Sequence, residues 1–174
     1  MDDAFYKERY PDATVMAIAG GADQYYEGFD FPPKPDDIYF KPDKIITSDN
    51  FALDLGKATK ASLVVLDTKE PQDGVIVLER QDEGKILIPG DSLQNLERTQ
   101  NQWNCIGRTM MGMMGFLKPY NVGPAWASIS KTTKEEMESK LLNLKFDHVL
   151  PSHGRPVIGQ AYKKYEPAIQ ELKL

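Results

Sequence analysis

The sequence predicts an α/β fold, on three observations. A charged, helix-forming opening runs into a short, partly β-branched strand over 14–19. The stretch 44–89 then reads as strand after strand, separated by turn residues. The remainder alternates helices with a short strand and closes on a helix. With 174 residues, a single domain over 1–174 is expected, large enough to bury a sizeable core.

Each element has its own signal. A helix over 3–10 is ended by Pro11, because proline disfavours helix at the residue before it. Gly20-Gly21 closes the strand that follows. Residues 25–42 carry Pro32, Pro33, Pro35 and Pro42 among aromatics, which predicts an irregular surface segment. Strands are expected over 45–47, 50–55, 62–67, 74–79 and 85–88, forming a meander with one buried face. Asp82-Glu83-Gly84 marks a hairpin turn, since glycine tolerates positive φ. Residues 94–114 have helical length but are broken by glycines, and Pro119 to Trp126 reads as an aromatic loop. The clearest helix lies over 131–144, with Ser130, Thr132 or Thr133 as its cap and Glu135 and Glu136 in its first turn. A strand over 148–150, a Pro151-Ser152-His153-Gly154 turn and a helix over 159–172 complete the chain.

Composition narrows the function classes. The net charge of −5, with no basic block, argues against a phosphate-backbone binder, so no nucleic-acid partner is expected. No run approaches the roughly eighteen apolar residues that a membrane helix needs, and the charged start lacks a signal-peptide core. A cytoplasmic location follows as the expectation. The single cysteine, Cys105, has no activating histidine nearby in sequence and no partner for an intrachain disulfide.

Chemistry-bearing residues concentrate in two stretches. One is the strand ending in Gly90-Asp91, the other the strand leading to Ser152-His153-Gly154. A carboxylate and an imidazole at the C-terminal ends of two strands are placed to meet at a sheet edge. Together they are a partial shell for zinc or iron, although zinc takes at least three protein ligands. Asp91 can instead cap a following helix. His148, the only other histidine, reads as a packing residue. The methionine-rich stretch around Met110, Met113, Met114 and Phe116, with Trp126 beyond it, reads either as core packing or as the wall of an apolar pocket.

The order strand, Gly-Asp, helices, strand, Pro-x-His-Gly, helix resembles the C-terminal two-thirds of the metallo-β-lactamase superfamily. That resemblance implies an αββα sandwich lacking its first strands. It puts Asp91 at the family's bridging-carboxylate position and His153 at its last histidine. The hallmark H-x-H-x-D-H loop would precede residue 3 and is not in the sequence. The family's mid-chain histidine falls on Lys69 when Pro71 sets the alignment and on Glu70 when Val75 does; the Lys-x-Pro spacing favours Lys69. A salt-bridged Asp91–His153 pair, with Lys69 supplying the missing charge, is the expected remnant.

The expected function is therefore a ligand-binding or interaction module on a metallo-β-lactamase-like fold, without dinuclear hydrolase chemistry and without a cofactor. The alternative is a metal-dependent hydrolase, as a fragment or with zinc or iron at a mononuclear site of Asp91, His153 and Glu70. A second alternative is a purely structural dimer. The expected partners are a second copy, covering the surface that the first strands would cover, and a small apolar ligand.

Overall fold

The computed structural model describes residues 3–19, 42–47, 49–55, 59–68, 73–97 and 104–172. Helix α1 (Asp3–Arg9) precedes strand β1 (Met16–Ile18), as the opening pattern predicts. β1 pairs in parallel with β2 (Lys44–Ile46), so β2 leaves the meander in which it was expected. Asn50, in the left-handed region at φ 55°, turns the chain between β2 and the next strand, and a turn there ends continuous pairing. Lys7 Nζ donates to Asp43 at 2.9 Å and ties α1 to the entry of β2. The expected irregular segment over 25–42 falls almost wholly outside the described residues.

The main sheet contains β3 (Phe51–Leu53), β4 (Lys60–Leu66), β5 (Asp73–Arg80) and β6 (Gly84–Ile88), antiparallel in that order. β9 (His148–Val149) adds beside β6 in parallel. The expected Asp82-Glu83-Gly84 hairpin joins β5 to β6, with Gly84 at φ 78°. Runs such as Val75 to Leu78 are continuously apolar rather than alternating, which suits a sheet covered on both faces. The expected single buried face is thereby corrected.

One face carries Val64, Leu66, Val75, Val77 and Leu87 into the main core. The other holds two cross-strand rows, Phe51–Leu63–Ile76–Ile88 and Leu53–Ala61–Leu78–Ile86. Over this second face Ile18 of β1 reaches Gly74, filling the space a Cβ there would take. The mixed α/β class thus stands, with helices packed on one side of the sheet and β1–β2 against the other.

The second half differs from its expected elements in three places. Within 94–114 the chain first forms β7 (Leu93–Gln94) and only later α2 (Cys105–Met113), capped by Asn104, whose Oδ1 accepts from Gly107 N at 2.8 Å. The aromatic loop contains β8 (Asn121–Val122), paired with β7, and Pro124 opens α3 (Pro124–Ser130), where a missing N–H costs nothing. The helix over 131–144 is shorter. Lys131 is the left-handed end of α3, and Thr133 caps α4 (Lys134–Lys140), its Oγ1 accepting from Glu136 N at 3.2 Å. A 3₁₀ turn, Leu142–Leu144, follows.

Helix α5 (Ala161–Gln170) closes the core with Ala161, Tyr165 and Ile169. Tyr165 stacks edge-on with Tyr120, centroids 5.9 Å apart, and donates its hydroxyl to the Gln94 carbonyl at 3.2 Å. Burial, with Tyr120 beside it, pushes this hydroxyl well above the ordinary tyrosine range, so it stays a neutral donor. No helix among the described residues is long and apolar enough to cross a membrane.

Candidate ligand-binding cleft

Two neighbouring parallel strands bring the candidate site together. β6 leaves the sheet through Pro89 and Gly90, the latter at φ 56°. Ser92 then folds back: its N–H and Oγ–H both donate to the Pro89 carbonyl, at 3.1 and 2.7 Å. This turn holds Asp91 at the surface. No helix follows it, so the expected capping role for Asp91 is replaced by a turn into β7.

From β9 the chain passes through Pro151 to His153. Asn95 fastens this turn: its N–H donates to the His153 carbonyl at 2.9 Å, and its Nδ2 donates to the Arg155 carbonyl at 2.9 Å. Gly154, at φ 99°, lies so close to the Asn95 carbonyl that a Cβ would overlap it. Gly123 approaches the Asp91 carbonyl in the same way and donates its N–H to Ser92 O at 3.1 Å. Two glycines and one asparagine thus bring three loops within contact.

The result is an Asp91–His153 pair, Oδ1 to Nε2 at 3.1 Å, each side chain 60% exposed. It stands at the rim of a cleft of about 190 Å³ whose apolar walls include Met111, Phe116 and Trp126. Gln94, buried at the back, donates Nε2 to the Phe116 carbonyl at 3.0 Å and anchors that wall. Trp126 is 7% exposed, and its indole Nε1 closes no hydrogen bond of normal geometry. The indole nevertheless lies near enough to Asp73 to favour that carboxylate.

Asp73 is the residue that sequence reasoning missed. Burial first, and the charge of Asp91 next to it, hold its carboxyl above the ordinary value, against the Gly74 amide (2.7 Å) and the Trp126 indole that pull it down. In sequence it reads only as half of an Asp-Gly turn. The register of β4 and β5 pairs Leu66 with Asp73 at the start of β5, and the fold brings that position near Trp126 and Asp91.

The other predicted positions divide. Phe116 and Trp126 line the cleft. Met110, Met113 and Met114 face outward, 58%, 80% and 60% exposed, and Met111 supplies the methionine wall instead. One residue along a helix rotates the side chain by about 100°, and that step separates Met111 from its neighbours. Lys69 and Glu70 lie outside the described residues. His148 is committed to the fold: Gly159 N donates to its Nδ1 at 3.0 Å, which leaves Nε2 to donate to the Glu83 carbonyl at 2.9 Å.

The resemblance implies a metal centre, and the donors can be tested against it. With His148 occupied, Asp91 and His153 are a two-donor set, and among the described residues no group of three His, Cys, Asp or Glu side chains comes together. A dinuclear centre does not fit that set. What the pair can do is hold a polar group at the rim of an apolar cleft, through one carboxylate and one imidazole. Comparison with protein-family models, curated proteins and solved structures finds no match.

Proposed function

We propose that this chain is a small-molecule-binding module on a metallo-β-lactamase-like sandwich that does not run dinuclear hydrolysis. One observation carries the reading: the Asp91–His153 pair, 3.1 Å apart, sits at the rim of a cleft walled by Met111, Phe116 and Trp126. Sites of this kind take the apolar body of a ligand inside and fix its polar end at a few convergent groups. Hydrolysis by a metal-activated water needs a shell that lowers the water's pKa from about 15.7 towards ~7. The pair supplies too few donors for two such ions.

Binding of benzyl alcohol, a neutral compound of matching size, tests the reading. Its expected signature is a shifted Trp126 indole resonance in ¹H–¹⁵N NMR, lost when Ala125→Trp fills the cleft wall. Undisturbed spectra up to millimolar ligand would count against the module. Metal analysis is the complementary arm. Stoichiometric zinc or iron in the purified protein, lost in both Asp91→Ala and His153→Ala, would overturn the proposal in favour of a metal-dependent hydrolase.

A further inference from the structure

The charge around the cleft narrows the ligand class, given the binding reading above. Among the described residues lining it, Asp91 is the carboxylate, His153 the sole titratable base, and no lysine or arginine is present. A second carboxylate, Asp73, lies near the Trp126 indole and within electrostatic range of Asp91. Beside Gln94, Leu96, Gly123 and Ala125, the wall holds two aromatic rings and a thioether, groups that attract cations. Trp126 and Phe116 contribute aromatic rings, whose faces carry negative quadrupoles, and Met111 contributes a polarisable thioether.

An anionic ligand would meet Asp91 at the rim and aromatic rings within, and no lysine or arginine among the described lining residues would pair its charge. A protonated amine meets the reverse: a carboxylate to accept its N–H bonds and aromatic walls for the carbon attached to nitrogen. Size is set by volume. A closed apolar cavity of roughly 150 Å³ holds benzene, so a cleft of about 190 Å³ suits one ring or a short chain bearing one charged group.

We infer that the cleft binds small organic ammonium ions, with the ammonium on Asp91 at the rim and the hydrocarbon against Met111, Phe116 and Trp126. His153 is the intramolecular group now on Asp91, and an entering ammonium would take over that acceptor.

Three ligands that share a ring and differ in charge test this: benzylamine, benzyl alcohol and benzoate. The chain has two tryptophans, so the titrations use Trp103→Phe, in which Trp126 gives the only indole signal. Benzylamine is expected to bind about fivefold tighter than benzyl alcohol, the scale of one exposed ion pair, with benzoate weakest. Asp91→Asn should bring benzylamine down to benzyl alcohol, and added salt should narrow the gap in the parent protein. Asp91 is at the surface, so circular dichroism should be unchanged in that variant. Benzoate binding as tightly as benzylamine, or a preference that survives Asp91→Asn, would overturn the inference and leave the binding module standing. Silence from all three ligands would remove both.

Discussion

Gly154 is where a single residue decides the site. Its φ of 99° and the Asn95 carbonyl beside it leave no room for a side chain. Gly154→Ala is expected to cost about 2–3 kcal/mol through forced backbone strain, read as a lower urea midpoint. It should also move the His153 resonances, because the same turn carries the imidazole. Asp49 makes a second residue-scale case. Burial raises its pKa, but Lys140 and the amides of Val65 and Asn50 outweigh that and hold the carboxyl below its ordinary 3.8. A depressed folded-state pKa stabilises above the unfolded value and loses that contribution as pH falls through the folded one. Asp49→Asn should therefore lower the Tm at about pH 6, with the gap closing below about pH 3.

Elements show how local signals compete. Three polar residues before α4 offer capping side chains, and the structure uses Thr133. Ser130 belongs to the preceding helix, and Thr132 Oγ1 donates to Glu136 Oε2 at 3.1 Å. Thr133→Ala is expected to cost about 1 kcal/mol, measured by denaturant melts, whereas Ser130→Ala should leave the α4 cap intact. The same helix is tied to distant chain by Lys140, which bonds Asp49 and lies 3.5 Å from Asp67. Strand positions in the meander were legible to within two residues at each end, because their apolar runs are bounded by turn residues. β7 and β8 were not: each is two residues long, and only mutual pairing makes them strands.

At the scale of the whole molecule, the second face of the sheet bears on assembly. Its rows of Phe51, Leu63, Ile76 and Ile88, and of Leu53, Ala61, Leu78 and Ile86, form an apolar layer four strands wide, in which Ala61, Leu63 and Ile86 are buried. Ile76, Leu78 and Ile88 are only half-buried in the single chain. The part left uncovered favours association, and a dimer of the 19.6 kDa chain is expected in sedimentation at micromolar concentration. Ile76→Lys should shift the distribution to monomer, and a parent protein already monomeric would exclude this mode of assembly.

The α/β class, the strand-rich centre and the two chemical positions, Asp91 and His153, are already legible in the order of residues. These rest on short-range information: apolar runs, turn residues and the chemistry of single side chains. Tertiary packing alone sets the 3.1 Å meeting of the two, brings Asp73 near Asp91 and Trp126, and turns Met111 rather than its neighbours to the cleft. Those facts depend on strand register, helix rotation and loop contacts between segments distant in sequence, such as Asn95 and Arg155, 60 residues apart. No local pattern encodes such distances, because they are set by how whole elements pack.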